Sequence, residues 1–173
     1  MKGLDRHSLT SLVKFLAKYE PLLGGSNHHI VETKFTIMMM LGNNDNYALE
    51  NLTRDLLEMK ENFALQLLEV ANKIDPGCSK IRGQILLELQ MAQVFYIFFE
   101  SIFEFYPIHI SQVSLAAGLE QAGEISKFQA KEKAEVAFKN LQEAVKILQV
   151  EPDMKSVLED RMNIVSSVLA KFE

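Results

Sequence analysis

Apolar residues along this chain recur every three or four positions in one segment after another, the period of helices that bury a single face. The first run is Ser8 to Glu20. Leu9, Leu12, Val13 and Leu16 share a face, Ser8 is placed to cap it, and Pro21 is expected to stop it. A short LLGGSN turn leads to a second run from about His28 to Leu41, with Ile30, Val31, Phe35, Met38 and Leu41 apolar and Gly42 as its C-terminal stop. GNNDN then reads as a loop. Thr53 to Ile74 is the most regular stretch, where Leu56, Met59, Phe63, Leu67, Val70 and Ile74 make one amphipathic stripe. After Asp75-Pro76-Gly77, Ser79 can cap a fourth run that extends to about Phe105 before Pro107. This run is apolar nearly all round. Ile81, Ile85, Leu89, Ala92, Tyr96, Phe99 and Phe103 form one stripe, while Leu87, Val94, Phe98 and Ile102 occupy other faces, so the helix is predicted to be central or covered.

Between Pro107 and Gly123 the pattern weakens, and residues 106–127 read as a connection with room for a short helix. Periodicity returns at Phe128: Ala130, Ala134, Ala137, Leu141, Ala144 and Leu148 give a small-residue face that lets a neighbouring helix come close. Asp153 is predicted to cap the last run, Met154 to Phe172, with Leu158, Met162, Val165, Leu169 and Phe172 on its face. The β-branched residues all fall within helical periods, so no strand is expected. The prediction is one all-α domain over 1–173, a tetratricopeptide-like array of about six helices in antiparallel hairpins at about 8–41, 53–105 and 128–172. Glu20-Pro21, Asp75-Pro76 and Glu151-Pro152 punctuate it. LLEVANKIDP and LQEAVKILQVEP end alike, as tetratricopeptide-type pairs do, but these prolines are spaced far more widely than the ~34-residue period, so the array is degenerate.

Composition narrows the function classes. Across 173 residues, 18 Lys and Arg stand against 23 Asp and Glu, a net charge of −5, with no basic stripe to hold a polyanion. Nucleic-acid binding is therefore not expected. The single cysteine, Cys78, excludes an internal disulfide framework and any multi-cysteine zinc module. With no apolar stretch in MKGLDRHSLTSL, these features predict an intracellular protein, cytoplasmic or nuclear. Ile85 to Phe103 has the length of a bilayer span, yet Glu88, Glu100, Gln90 and Gln93 within it favour a buried helix over a membrane segment.

Chemistry-bearing patterns are sparse. No phosphate-cradling glycine loop and no GxSxG elbow is present. Among His7, His28, His29 and His109, the adjacent pair His28-His29 projects about 100° apart on a helix, so a helix-start surface is expected rather than a metal site. Cys78 lies beside Lys80 and Arg82 but lacks a dyad partner, and reads as a turn cysteine. Glu88, Glu100 and Glu104 are read as the narrow polar stripe of the fourth helix, and the aromatic cluster from Phe95 to Tyr106 as core. Lys60, Lys73, Lys80 and Arg82, grouped around the 75–77 turn, are the candidate cations for holding an acidic peptide or a C-terminal carboxylate.

The wording of several segments also resembles a known family. LAKYEPLLGGSNHHIVETKFTIMMMLG looks like the opening of the C-terminal region of SET and MYND domain-containing proteins. YALENLTRDLLEMKENFALQLLEVANKIDPGCSKIRGQILLELQMA is similar to the arthropod branch, with matching residues Leu67 to Ala71, Pro76, Gly77, Ser79, Arg82, Gly83, Leu86, Glu88 and Leu89. LQEAVKILQVEP resembles that family's last repeat. The resemblance implies a lysine methyltransferase that uses S-adenosylmethionine in its SET core and zinc in its MYND module, with a tetratricopeptide-like helical region flanking the substrate cleft. The SET core's Asn-His-Ser-Cys motif is absent, Ser26-Asn27-His28-His29 matching it only superficially, and one cysteine cannot supply the MYND or post-SET ligands. No catalytic, cofactor or metal residue of the family therefore maps onto this chain, and S-adenosylmethionine and zinc belong to the missing parts. The expectation is a non-catalytic protein-interaction module: the helical region of such a protein without its SET and MYND parts, against whose helices the absent SET domain would pack. The alternatives are a fragment of a protein-lysine methyltransferase, or an unrelated tetratricopeptide-like adaptor.

Overall fold

The computed structural model describes residues 8–77, 79–105 and 127–170, with backbone alone at 50, 98–105 and 127–129. Six α-helices account for most of it: α1 (Leu9–Leu23), α2 (His28–Met40), α3 (Arg54–Ile74), α4 (Lys80–Phe105), α5 (Lys127–Leu148) and α6 (Lys155–Leu169). Among the described residues there is no strand. The fold is all-α. Each helix packs on its neighbour in sequence, α1 on α2 through to α5 on α6, with α4 held between α3 and α5. The short turns between α1 and α2, α3 and α4, and α5 and α6 pair those helices as hairpins. The connection predicted at about 106–127 falls almost wholly outside the described residues, as do His7, Cys78, His109 and Phe172.

Several boundaries differ from expectation for physical reasons. Helix α1 runs through Pro21 to Leu23. Pro21 lies exposed in the last turn, where losing one N–H bond costs little, and Gly24 ends the helix at φ 80° with its N–H on Glu20 O. Glu20-Pro21 is thus no turn, whereas Asp75-Pro76 and Glu151-Pro152 do separate helices. Asp153 does not cap α6: it sits inside a 3-10 turn, Pro152–Met154, that feeds the helix without a side-chain cap. GNNDN, read as loop, runs into a 3-10 turn at Asp45–Tyr47, and a second follows at Leu49–Asn51 before α3. Gly42 has φ 98°, and a Cβ there would lie 2.8 Å from Leu49 Cδ2, so glycine is required by both backbone and space. The Ser8 cap holds, its Oγ accepting from Ser11 N, and so does that of Ser79, accepting from Arg82 N.

The C-terminal core forms as the small-residue pattern predicts. Ala130, Ala134, Ala137, Leu141, Ala144 and Leu148 are all buried, facing Leu86, Leu87, Val94 and Ile97 of α4 and Leu158, Val165 and Val168 of α6. Gly83 sits where the two helices touch: a Cβ there would meet Leu148 Cγ at 2.8 Å and Ile147 Cγ2 at 2.9 Å. On α4 every residue from Ile85 to Val94 is buried, as expected of a central helix, and each buried Leu or Ile there contributes roughly 1.5–3 kcal/mol.

The α3 stripe is rotated from its predicted position. Leu57, Lys60, Ala64 and Leu67 are buried, while Ile74 is 79% exposed. The core face therefore carries a lysine, and the apolar stripe centred on Phe63 and Val70 is left half-exposed along its flank.

Candidate functional site

An apolar cleft of about 520 Å³ lies where α2, the end of α3 and the start of α4 meet. Val31 and Phe35 of α2, Leu67, Val70 and Ala71 of α3, and Ile85 of α4 line it. Ile74 and Ile81, the latter 58% exposed, stand at its lip on either side of the 75–79 turn. His28 and Glu32 mark one side of the rim, with Asp75, Ser79 and Gln84 elsewhere along it. The two charged groups on the lining are both carboxylates. An apolar concavity with a few polar groups at its edge is the usual form of a binding site.

At the α2 side of this rim, three metal-ligating side chains converge. His28 Nε2 lies 3.9 Å from Glu32 Oε2 and His29 Nδ1 lies 4.0 Å from it, with the two rings 5.4 Å apart. The adjacent histidines diverge along the helix as expected. Glu32, one turn later, falls angularly between them and draws the three together, a convergence that the 100° separation of the two histidines alone does not reveal.

The four candidate cations do not form a cluster. Lys60 is 13 residues from Lys73 on one helix, about 20 Å away, and is fully buried. Lys73 pairs with Glu69 within its own helix, Lys80 with Glu151 across the turns, and Arg82 with Glu143 and Asn72. Each already has an internal acceptor, so the convergence needed to hold an acidic peptide is missing.

Lys60 instead anchors the junction of α2, α3 and α4. Its ammonium donates to Met38 O at 2.8 Å, to Leu41 O at 2.7 Å, and to Glu88. All three N–H groups are used, two of them on carbonyls at the C-terminal end of α2 where a cation is favoured. Burial pushes Lys60 down from the ordinary lysine value of 10.5; Glu88 pulls it back up, and Arg161 on α6 pushes it lower. Glu88 is thus not part of a solvent-facing polar stripe but a buried carboxylate, which also accepts from Asn43 at 3.3 Å. Glu100 and Glu104 lie outside the residues whose side chains are described. Lys34 is a second buried lysine, donating to Glu20 and Gln66.

The aromatic cluster expected from Phe95 to Tyr106 is core as far as its side chains are described. Tyr96 is buried, with its hydroxyl accepting from Arg54 at 2.7 Å and Lys133 Nζ 3.8 Å from its ring centroid. Lys133 also pairs with Glu61, which accepts from Gln93, and Gln93 accepts from Asn140, so a polar chain ties α3, α4 and α5 together. Gln90 is fully buried, and neither of its amide atoms is hydrogen-bonded among the described residues. No helix among the described residues is long and apolar enough to cross a membrane.

No protein-family model matches this chain, and neither a curated protein nor a solved structure matches it.

Proposed function

We propose that this chain is a non-catalytic protein-interaction module, the counterpart of the C-terminal helical region of a SET and MYND domain-containing protein without its catalytic and zinc-binding parts. The observation that carries the interaction reading is the cleft between α2, α3 and α4, apolar along its floor and edged by the exposed Ile74 and Ile81. The family reading rests on the resemblance over Leu67 to Leu89, which spans the end of α3, the turn and the start of α4, and so one wall of that cleft.

The occupant that suits this cleft is a protein segment presenting apolar side chains flanked by Lys or Arg. The floor supplies apolar contact, and the charged residues on the rim are carboxylates, Glu32 and Asp75, with no lysine or arginine among the lining residues to repel a cationic flank. An acidic peptide, expected from the lysine and arginine positions, is the poorer match because those cations are engaged with carboxylates of their own. A fluorescent amphipathic helical peptide with leucines on one face and flanking lysines tests this directly. It should bind the chain and be displaced by its unlabelled form, while a glutamate-flanked peptide should bind at least several-fold more weakly. Val70→Asp should abolish binding with the helical circular dichroism unchanged. Equal binding by wild type and Val70→Asp, or a preference for the acidic peptide, overturns the reading, and turnover of S-adenosylmethionine by this chain would overturn its non-catalytic part.

A further inference from the structure

We propose that His28, His29 and Glu32 form a binding site for a divalent first-row transition metal, with Zn2+ the best match. The donor set is two imidazole nitrogens and one carboxylate oxygen, a combination suited to zinc and poor for Mg2+ or Ca2+, which take oxygen ligands. The three ligand atoms already lie within 4.8 Å of one another. Around a tetrahedral zinc with bonds of 2.0–2.2 Å, ligand atoms stand roughly 3.3 Å apart, so each has about an ångström or less to move. The rings are free to make that adjustment, His28 being 82% and His29 53% exposed.

The local backbone is fixed before any metal arrives. Asn27 Oδ1 accepts from His29 N at 3.0 Å, and Thr33 Oγ1 donates to His29 O at 2.7 Å, so the first turn of α2 presents its side chains from a set frame. The partial positive charge of a helix start opposes a cation only weakly at an exposed position. Glu32 is the offset: its carboxylate is the one anionic donor in the set, beside two imidazoles. Three protein ligands leave one zinc position for water. The site stands independently of what occupies the cleft, although His28 and Glu32 are shared with its rim.

Isothermal titration of the whole chain with ZnCl2 at pH 7.5 is the test, since imidazole must be neutral to coordinate. One equivalent should bind in the micromolar range. His28→Ala and His29→Ala should each weaken it at least tenfold, Glu32→Gln severalfold, and Cys78→Ser not at all. Copper(II) electron paramagnetic resonance should report two nitrogen ligands in the wild type and one in either histidine variant. All three ligands are at the surface, so circular dichroism should remain helical throughout. Binding only at millimolar zinc, binding unchanged in the His28→Ala/His29→Ala double variant, or loss of binding in Cys78→Ser would each overturn the proposal.

Discussion

Helix α4 has two differently built sides. Against α5 it meets alanines and touches through Gly83, leaving no space for a Cβ. Against α2 and α3 it meets larger side chains, a buried lysine–glutamate pair and, at one end, an open cleft. Small residues bring backbones close and exclude everything else. Large residues hold the helices further apart, and the space between them admits polar groups and concavity. The same helix thus serves as a rigid seam on one side and as a wall of a cleft on the other.

The sharpest way to break this contrast is Lys60→Ala, which leaves the Glu88 carboxylate buried without its main partner and with only Asn43 donating to it among the described contacts. A loss of about 3–5 kcal/mol is expected in urea denaturation. The double variant Lys60→Met/Glu88→Leu should recover most of it, because paired apolar replacements remove both desolvated charges. A double variant as unstable as the single would mean that packing rather than charge governs this side. On the other side, Ala137→Leu should cost about 1–3 kcal/mol by overpacking, against a change under 1 kcal/mol for Val70→Leu in the cleft. Gly83→Ala should cost less, about 1–2 kcal/mol, since the clash with Leu148 is partly offset by the better helix propensity of alanine.

A smaller effect concerns pH. Lys60 has a folded-state value below 10.5, so between that value and 10.5 the unfolded chain binds more protons, and stability should rise with pH through that window. Below it the desolvation cost is fully present. Compared with Lys60→Met/Glu88→Leu as pH is raised toward 10.5, the wild type should show the steeper rise. Smallest of all, Ile74→Glu at the exposed lip should change stability by no more than about 0.5 kcal/mol.

The helices were legible because their periodicity is local. Ser8 and Ser79 cap where the sequence places them, Gly42 follows α2, Asp75-Pro76 follows α3, and the small residues alone draw the buried face of α5. The failures share a cause. The most apolar residues of α3 draw a stripe from Leu56 to Ile74, but burial follows the line Leu57, Lys60, Ala64 and Leu67 because α2 and α4 contact that line. A lysine spaced three and four residues from Leu57 and Ala64 was the available signal, as was a carboxylate, Glu88, in an otherwise apolar run. Each announces a buried charge in need of a partner, yet the pairing joins residues 28 apart and needs the fold to be seen. Lys80 and Arg82 lie near each other along the chain and read as a surface, although their carboxylate partners, Glu151 and Glu143, come from more than 60 residues away.

The packing of each helix on the next in sequence bears on how the chain finds its fold. Contacts within the α1–α2, α3–α4 and α5–α6 hairpins close short loops, and loop-closure entropy grows with length, so little must be organised before native contacts begin to form. A hairpin such as α3 with α4 needs only the 75–79 turn to bring its partners together. Arrays of this kind behave as nearest-neighbour systems, in which structure starts at one pair and spreads outward. Helix α4, in contact with α3 on one side and α5 on the other, is the place from which it can spread in both directions.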